Sequence, residues 1–149
     1  MHAVRRTVAD TTRRLVSRFY NQFWNGRNYD VAERLMAPRG VLRGTLGATS
    51  QGPEGLVTYA RRLLDAFPDV EMHVGDLIVE RDRAAAHIWW TGTHRGEALG
   101  CAATGRRVRY DCVALFRVAH GRIAEVEVHG DRSSLQDQLC ARRPRIASA

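Results

Sequence analysis

The chain has 149 residues, enough for one domain and too few for two ordinary ones. Its 44% hydrophobic and 26% charged residues belong to a soluble globular protein and exclude the disordered and fibrous classes. The net charge of +7 comes from 23 basic residues that are all arginine. Acidic residues are interleaved from Asp10 to Asp137, and the densest basic run, Arg142, Arg143 and Arg145, falls in a terminus rich in Ala and Ser. This pattern reads as coding bias plus a loose tail, so no nucleic-acid partner is expected. No stretch approaches the roughly 18 uninterrupted apolar residues of a membrane span, and Asp10 and Arg13 interrupt any signal-peptide core. The expectation is a cytoplasmic protein with no membrane partner.

In chain order, Leu15, Phe19 and Phe23 repeat every four residues with Val16, Tyr20 and Trp24 one position on. They predict an aromatic-faced helix that stops at Asn25-Gly26. A short second helix, about Tyr29 to Met36, is ended by Pro38. A third opens at Pro53 and runs to about Phe67, with Leu56, Tyr59, Ala60, Leu63 and Leu64 as a packing stripe. After Pro68 the period becomes two. Val70, Met72 and Val74 alternate, then Leu77 and Val79 take the other parity, which predicts a bulge near Gly75 and Asp76. A strand from about Arg83 to His94 sets Ala84, Ala86, Ile88, Trp90, Gly92 and His94 on one face. His87 and Trp89 fall on the other, which makes Trp89 an interface candidate. A Gly-rich connection from Gly96 to Gly105 leads to a long strand carrying Val108, Tyr110, Cys112, Ala114, Phe116 and Val118 on one side. His120-Gly121 marks a hairpin turn, and a last strand runs from Arg122 to about Asp131. Helices followed by long antiparallel strands predict an α+β fold with helices on one face of a bent sheet, enclosing a pocket.

Three cysteines, Cys101, Cys112 and Cys140, show no Cys-x-x-Cys pair and no disulfide framework, and are expected to be reduced thiols. His87, His94, His129 and Asp131 lack the compact spacing of a metal site, and no phosphate loop or dinucleotide motif is present. No metal and no cofactor are expected.

Several local strings resemble the SnoaL-like polyketide cyclase family of the nuclear transport factor two-like superfamily. They are Phe23-Trp24-Asn25-Gly26, the Phe67-Pro68-Asp69 junction, Thr91-Gly92-Thr93-His94-Arg95-Gly96-Glu97, and Thr104-Gly105-Arg106-Arg107-Val108 followed by a strand, a His-Gly turn and a last strand. The resemblance covers about residues 12 to 140 of a single domain, with a tail from about 141. It implies a cone-shaped barrel of curved antiparallel sheet around N-terminal helices, a homodimer, and an apolar cavity for a hydrophobic or aromatic substrate. It also implies cofactor-independent aldol ring closure of an aromatic polyketide intermediate in secondary metabolism, with an Asp of the last strand as acid/base. By motif position that Asp is Asp131, with His129 as companion. The chain departs from many relatives at Val41-Leu42-Arg43-Gly44, where an Asp-His pair is common, and at Glu127, where a Trp is common.

Weighed on their own, these residues have plainer roles too. Asp131 precedes Arg132-Ser133-Ser134-Leu135 and suits a helix N-cap, and His129 shares an alternating face with Glu125, Glu127 and Asp131 that is either a polar surface or a cavity wall. His94 is a third candidate catalytic group at a strand rim. Tyr20, Phe23, Trp24, Arg43, Trp90, Tyr110 and Phe116 are candidate substrate contacts, with core packing as the competing role of the aromatics. Two alternatives remain open: hydroxylation or epoxide opening, with Asp111 and Arg109 joining Asp131 to activate water, and a non-catalytic ligand-binding module.

Overall fold

The computed structural model describes residues 5–47 and 49–140. The Arg142, Arg143 and Arg145 run and the expected tail lie outside them. α1 (Val8–Arg18) starts at a reciprocal capping box, in which Asp10 N donates to Thr7 Oγ1 and Thr7 N to Asp10 Oδ2, each at 3.1 Å. Residues Phe19–Asn25 continue it as a π-helical turn. The wider turn keeps residues about four apart on one side, so Phe19, Tyr20, Phe23 and Trp24 are all buried. Gly26 does not cap in the left-handed region (φ −76); Arg27 takes that conformation (φ 53) instead. Arg27 is held there by its guanidinium, which donates to Trp24 O and to Val70 O at 2.6 Å.

The second helix is shorter than its pattern predicted. A 3-10 turn (Tyr29–Val31) leads into α2 (Ala32–Leu35), and the chain then extends as β1 (Met36–Arg43) and β2 (Thr49–Gln51). No strand was expected here after Pro38. The register of β1 against its partner shifts between Met36 and Val41, so the proline sits in an irregular stretch outside the ladder. α3 (Gly52–Ala66) follows as expected.

The six strands form one sheet in the order β2-β1-β6-β5-β4-β3, where β3 is Glu71–Glu80, β4 Arg83–Thr93, β5 Arg107–Ala119 and β6 Arg122–Gly130. All neighbours are antiparallel except β1 and β6. The bulge predicted near Gly75 and Asp76 lies between Val74 and Leu77. His120 (φ 52) and Gly121 (φ 73) make the tight hairpin turn. Inward rows on β4 (Ala84, Ala86, Ile88, Trp90) and β5 (Val108, Tyr110, Cys112, Ala114, Phe116) pack on the N-terminal helices and α3, giving the α+β architecture of a curved sheet around helices.

Two side-chain amides close the sheet where strands run out. Asn25 Nδ2 donates to Met72 O and Asn25 Oδ1 accepts from Met72 N, both at 2.8 Å, on the open edge of β3. Gln138 does the same for Arg109 on β5, past the end of β6. Gln138 belongs to α4 (Arg132–Cys140), a helix that buries Leu135 and Leu139. The sulfurs of Cys101 and Cys140 are joined, with Cα atoms 5.5 Å apart. The expectation of three reduced thiols is therefore corrected for this pair. A separation of 39 residues carries no motif, and only the fold brings the two together. Cys112 is free and buried. Among the described residues no helix is long and apolar enough to cross a membrane.

Candidate functional site

The sheet and helices enclose an apolar hollow to which almost every element contributes. The π-turn supplies Tyr20 and Trp24, α3 supplies Tyr59 and Leu63, β4 supplies Ile88 and Trp90, and β6 supplies Val126 and Val128. Leu42 of β1, Thr45 in the turn after it, Met72 and Cys112 complete most of the wall. About 30 Å³ of it is free, room for on the order of one or two waters. The hollow is thus nearly filled by its own side chains, and a ring system enters only if some of them move.

Its polar groups are neutral. Tyr59 is buried, and its hydroxyl oxygen accepts from Leu46 N at 3.4 Å. Tyr110 packs on Trp90, with ring centroids 5.8 Å apart, and its phenol lies beside the Thr45 side chain. The two phenols therefore flank Thr45 in the wall of the hollow. Two glycines make room for them: a Cβ at Gly44 would overlap the Tyr59 hydroxyl, and one at Gly130 the Tyr110 hydroxyl. Burial, reinforced by nearby Cys112, pushes the Tyr110 phenol up to about 12. Burial pushes the Cys112 thiol up to about 12 as well, and raises Tyr59 and Tyr20. All four stay protonated at neutral pH, so the tyrosines act as hydrogen-bond donors and Cys112 as a small apolar wall rather than a nucleophile.

The residues expected from sequence divide sharply. Tyr20, Trp24 and Trp90 line the hollow, and Tyr110 stands behind Trp90, outside that wall. Phe23 stacks on Phe19 and meets Tyr29 edge-on, and Phe116 meets Phe19 and Tyr20 edge-on, so both are core. Arg43 is half exposed and pairs with Glu125 at 2.7 Å on the outer face of the sheet, away from the cavity.

Asp131 is exposed and lies outside the hollow. Its Oδ1 accepts from Ser134 N at 3.0 Å, as the N-cap of α4. His129 is exposed as well, 3.6 Å from Glu127. The alternation along β6 was read correctly, but Glu125, Glu127 and His129 occupy its outer parity while Val126 and Val128 take the inner one. The premise that a last-strand carboxyl enters a dry cavity is corrected on that ground. Arg109 and Asp111 also face outward, joined by two contacts of 3.0 Å that hold the Asp111 carboxyl below its usual range, so they cannot activate water in the hollow.

His94 is fully buried. Its Nδ1 lies 2.9 Å from Thr104 Oγ1, its ring stacks on Phe67, and its Nε2 has no partner. It pins the connection after β4 and does not line the hollow. Sequence reasoning missed Tyr59 and Thr45. The available signal was the single hydroxyl on the otherwise apolar stripe of α3. Among the described residues no group of three or more His, Cys, Asp or Glu side chains could hold a metal ion.

A family model described as SnoaL-like polyketide cyclase matches residues 14–139. The fold is shared with a proposed SnoaL-like polyketide cyclase from Jannaschia sp. CCS1, at 23% identity over 95% of this chain and 100% of that one (TM-score 0.83). TsrD from Streptomyces laurentii is 26% identical over 87% of this chain and 94% of its own (TM-score 0.76). IdmH, a proposed polyketide cyclase from Streptomyces antibioticus, is 26% identical over 86% and 97% (TM-score 0.72). No curated protein matches the sequence.

A phenol whose folded-state value is raised from 10.0 to about 12 stabilises the fold fully below pH 10. Between those values the unfolded chain loses its proton first, so this contribution falls as pH rises from about 10 to about 12. Urea unfolding followed across that range is expected to show native Tyr110→Phe protein losing less stability than the unmodified chain. An equal loss in both would contradict the burial argument.

Proposed function

This chain belongs to the SnoaL-like polyketide cyclase family, and from that premise we propose that it closes a ring of a hydrophobic polyketide intermediate by intramolecular aldol chemistry, using neutral phenols. The observation that carries this reading is the approach of Tyr59 and Tyr110 to Thr45, a hydroxyl in the wall of an apolar hollow. A methylene between two carbonyls enolises readily. Its enol proton passes through a phenol to the oxygen of the attacked carbonyl as the new carbon–carbon bond forms, so the proton lost from carbon ends on the new hydroxyl. Donors fixed where the oxyanion develops in a water-poor site lower the barrier most, and holding the chain folded supplies much of the rest. The reaction proposed needs no cofactor.

Asp131, His129 and His94 were the first candidates for the acid/base on motif position. That role passes to Tyr59 and Tyr110, because the Asp131 carboxyl is exposed, caps α4 and has no access to the hollow. The test is turnover of synthetic anthraquinone precursors. Tyr110→Phe and Tyr59→Phe are each expected to lower kcat by about 100-fold, while Asp131→Asn, which preserves the cap, stays within about twofold of the native rate. Full activity in the phenylalanine variants with loss in Asp131→Asn would return the role to the carboxyl. An oxygen from labelled water in the product would favour hydroxylation over ring closure.

A homodimer is part of the same proposal. The outer face of the sheet exposes Ile78, Val113 and Leu115 beside Trp89, interleaved with the Arg43–Glu125 and Arg109–Asp111 pairs. Such a surface offers both signs of charge and apolar contacts to a two-fold mate. Sedimentation equilibrium is expected to give a dimer for the native chain and a monomer for Leu115→Glu, and a native monomer would overturn it.

A further inference from the structure

α4 stands where β5 outruns β6. The last pair between those strands is Cys112 with Gly130, so Arg107 to Asp111 have β4 on one side and no strand on the other. α4 fills that gap. The carboxamide of Gln138 takes both the N–H and the C=O of Arg109, Gln136 Nε2 donates to Leu99 O at 3.3 Å, and the Arg132 guanidinium lies against Gly47. Those contacts place the first turn of α4 beside the loop that carries Thr45 and next to Gly130, which abuts the Tyr110 hydroxyl.

The helix has little to hold it by itself. Its described part, Arg132–Cys140, buries Leu135 and Leu139, and short isolated helices are marginal in water. Its far end is fixed covalently, through Cys140 to Cys101. Cys101 sits just after a tight turn in which Leu99 (φ 50) and Gly100 (φ 78) are both left-handed, and it is buried, whereas Cys140 is on the exposed side of the pair. A disulfide of this kind is a staple in an oxidising compartment and a switch in a reducing one.

We propose that the Cys101–Cys140 disulfide is a redox latch on the hollow: oxidised, it holds α4 over the end where Tyr110 and Thr45 lie; reduced, it lets α4 lift and a ligand enter. The reading of the hollow as the ligand site underlies this inference. In the reducing step an external dithiol attacks the exposed sulfur. The S–S bond breaks, the protein gains two electrons and two protons as two thiols, and the reagent leaves as its own disulfide.

The molecule carries its own reporter. Cys112 is free, buried and part of the wall of the hollow, so its alkylation measures opening. The full chain is treated with N-ethylmaleimide with and without prior reduction by dithiothreitol under argon, and modified cysteines are assigned by peptide mass. The oxidised protein is expected to be two hydrogens lighter than the reduced one. Cys112 labelling is expected to rise by at least about tenfold on reduction, and Cys140→Ser should label at the reduced rate and ignore dithiothreitol. Local opening also requires a retained near-ultraviolet tryptophan spectrum and a labelling rate flat in low urea. Equal Cys112 rates in both redox states, absence of the mass difference, or a rise that tracks global unfolding would overturn the latch. Binding of an aromatic diketone separates the two readings. Equal binding to oxidised and reduced protein sinks the latch alone, and binding to neither, with Cys112 opened, sinks the functional reading alone.

Discussion

Burial of charge is the constraint on which the rest of this structure turns. The inner rows of β4, β5 and β6 and the inner faces of the helices wall a space with Trp24, Trp90, Ile88, Val126 and Val128. An ionised group placed there would lose its hydration with no partner to replace it, at a cost of several kcal/mol. The chain answers by admitting hydroxyls and a thiol and keeping its charges on the outer face, where Arg43 meets Glu125 and Arg109 meets Asp111. The site chemistry follows from the same condition, because a buried phenol keeps its proton and can only donate it or relay it.

Closing the space raises a second demand. A curved sheet leaves backbone groups unpaired where one strand outruns its neighbour, and unpaired buried groups are expensive. Asn25 and Gln138 solve this alike, each offering a carboxamide that mimics a strand's peptide unit. Gln138 therefore joins sheet completion to the placement of α4. The fold and the access route to the hollow are governed by the same helix.

Much of the fold was legible because alternation is a strong signal where one face is buried. The inner parity of β4 and β5, the change of parity at Gly75 and Asp76, and the His120-Gly121 turn were all readable from residue order. β1 was hidden by Pro38, which argues against a strand unless an irregular register is known to excuse it. For β6 the period was legible and the direction was not. Four polar residues at spacing two describe a polar surface and a polar cavity wall equally well, and only packing against β5 and β1 decides between them. Tyr59 and Thr45 gave weak signals for a similar reason: a buried hydroxyl looks like core until the space beside it is seen. The contact of Cys101 with Cys140 depends wholly on where α4 docks.

The claim that a ligand meets phenols and not a carboxylate is tested most directly by nuclear magnetic resonance on protein labelled at the tyrosine Cζ and aspartate carboxyl carbons, titrated with an aromatic diketone after reduction. The account predicts saturable movement of the Tyr59 and Tyr110 Cζ signals with the Asp131 carboxyl signal unmoved. A shift of the Asp131 carboxyl signal while both tyrosines stay still would contradict it.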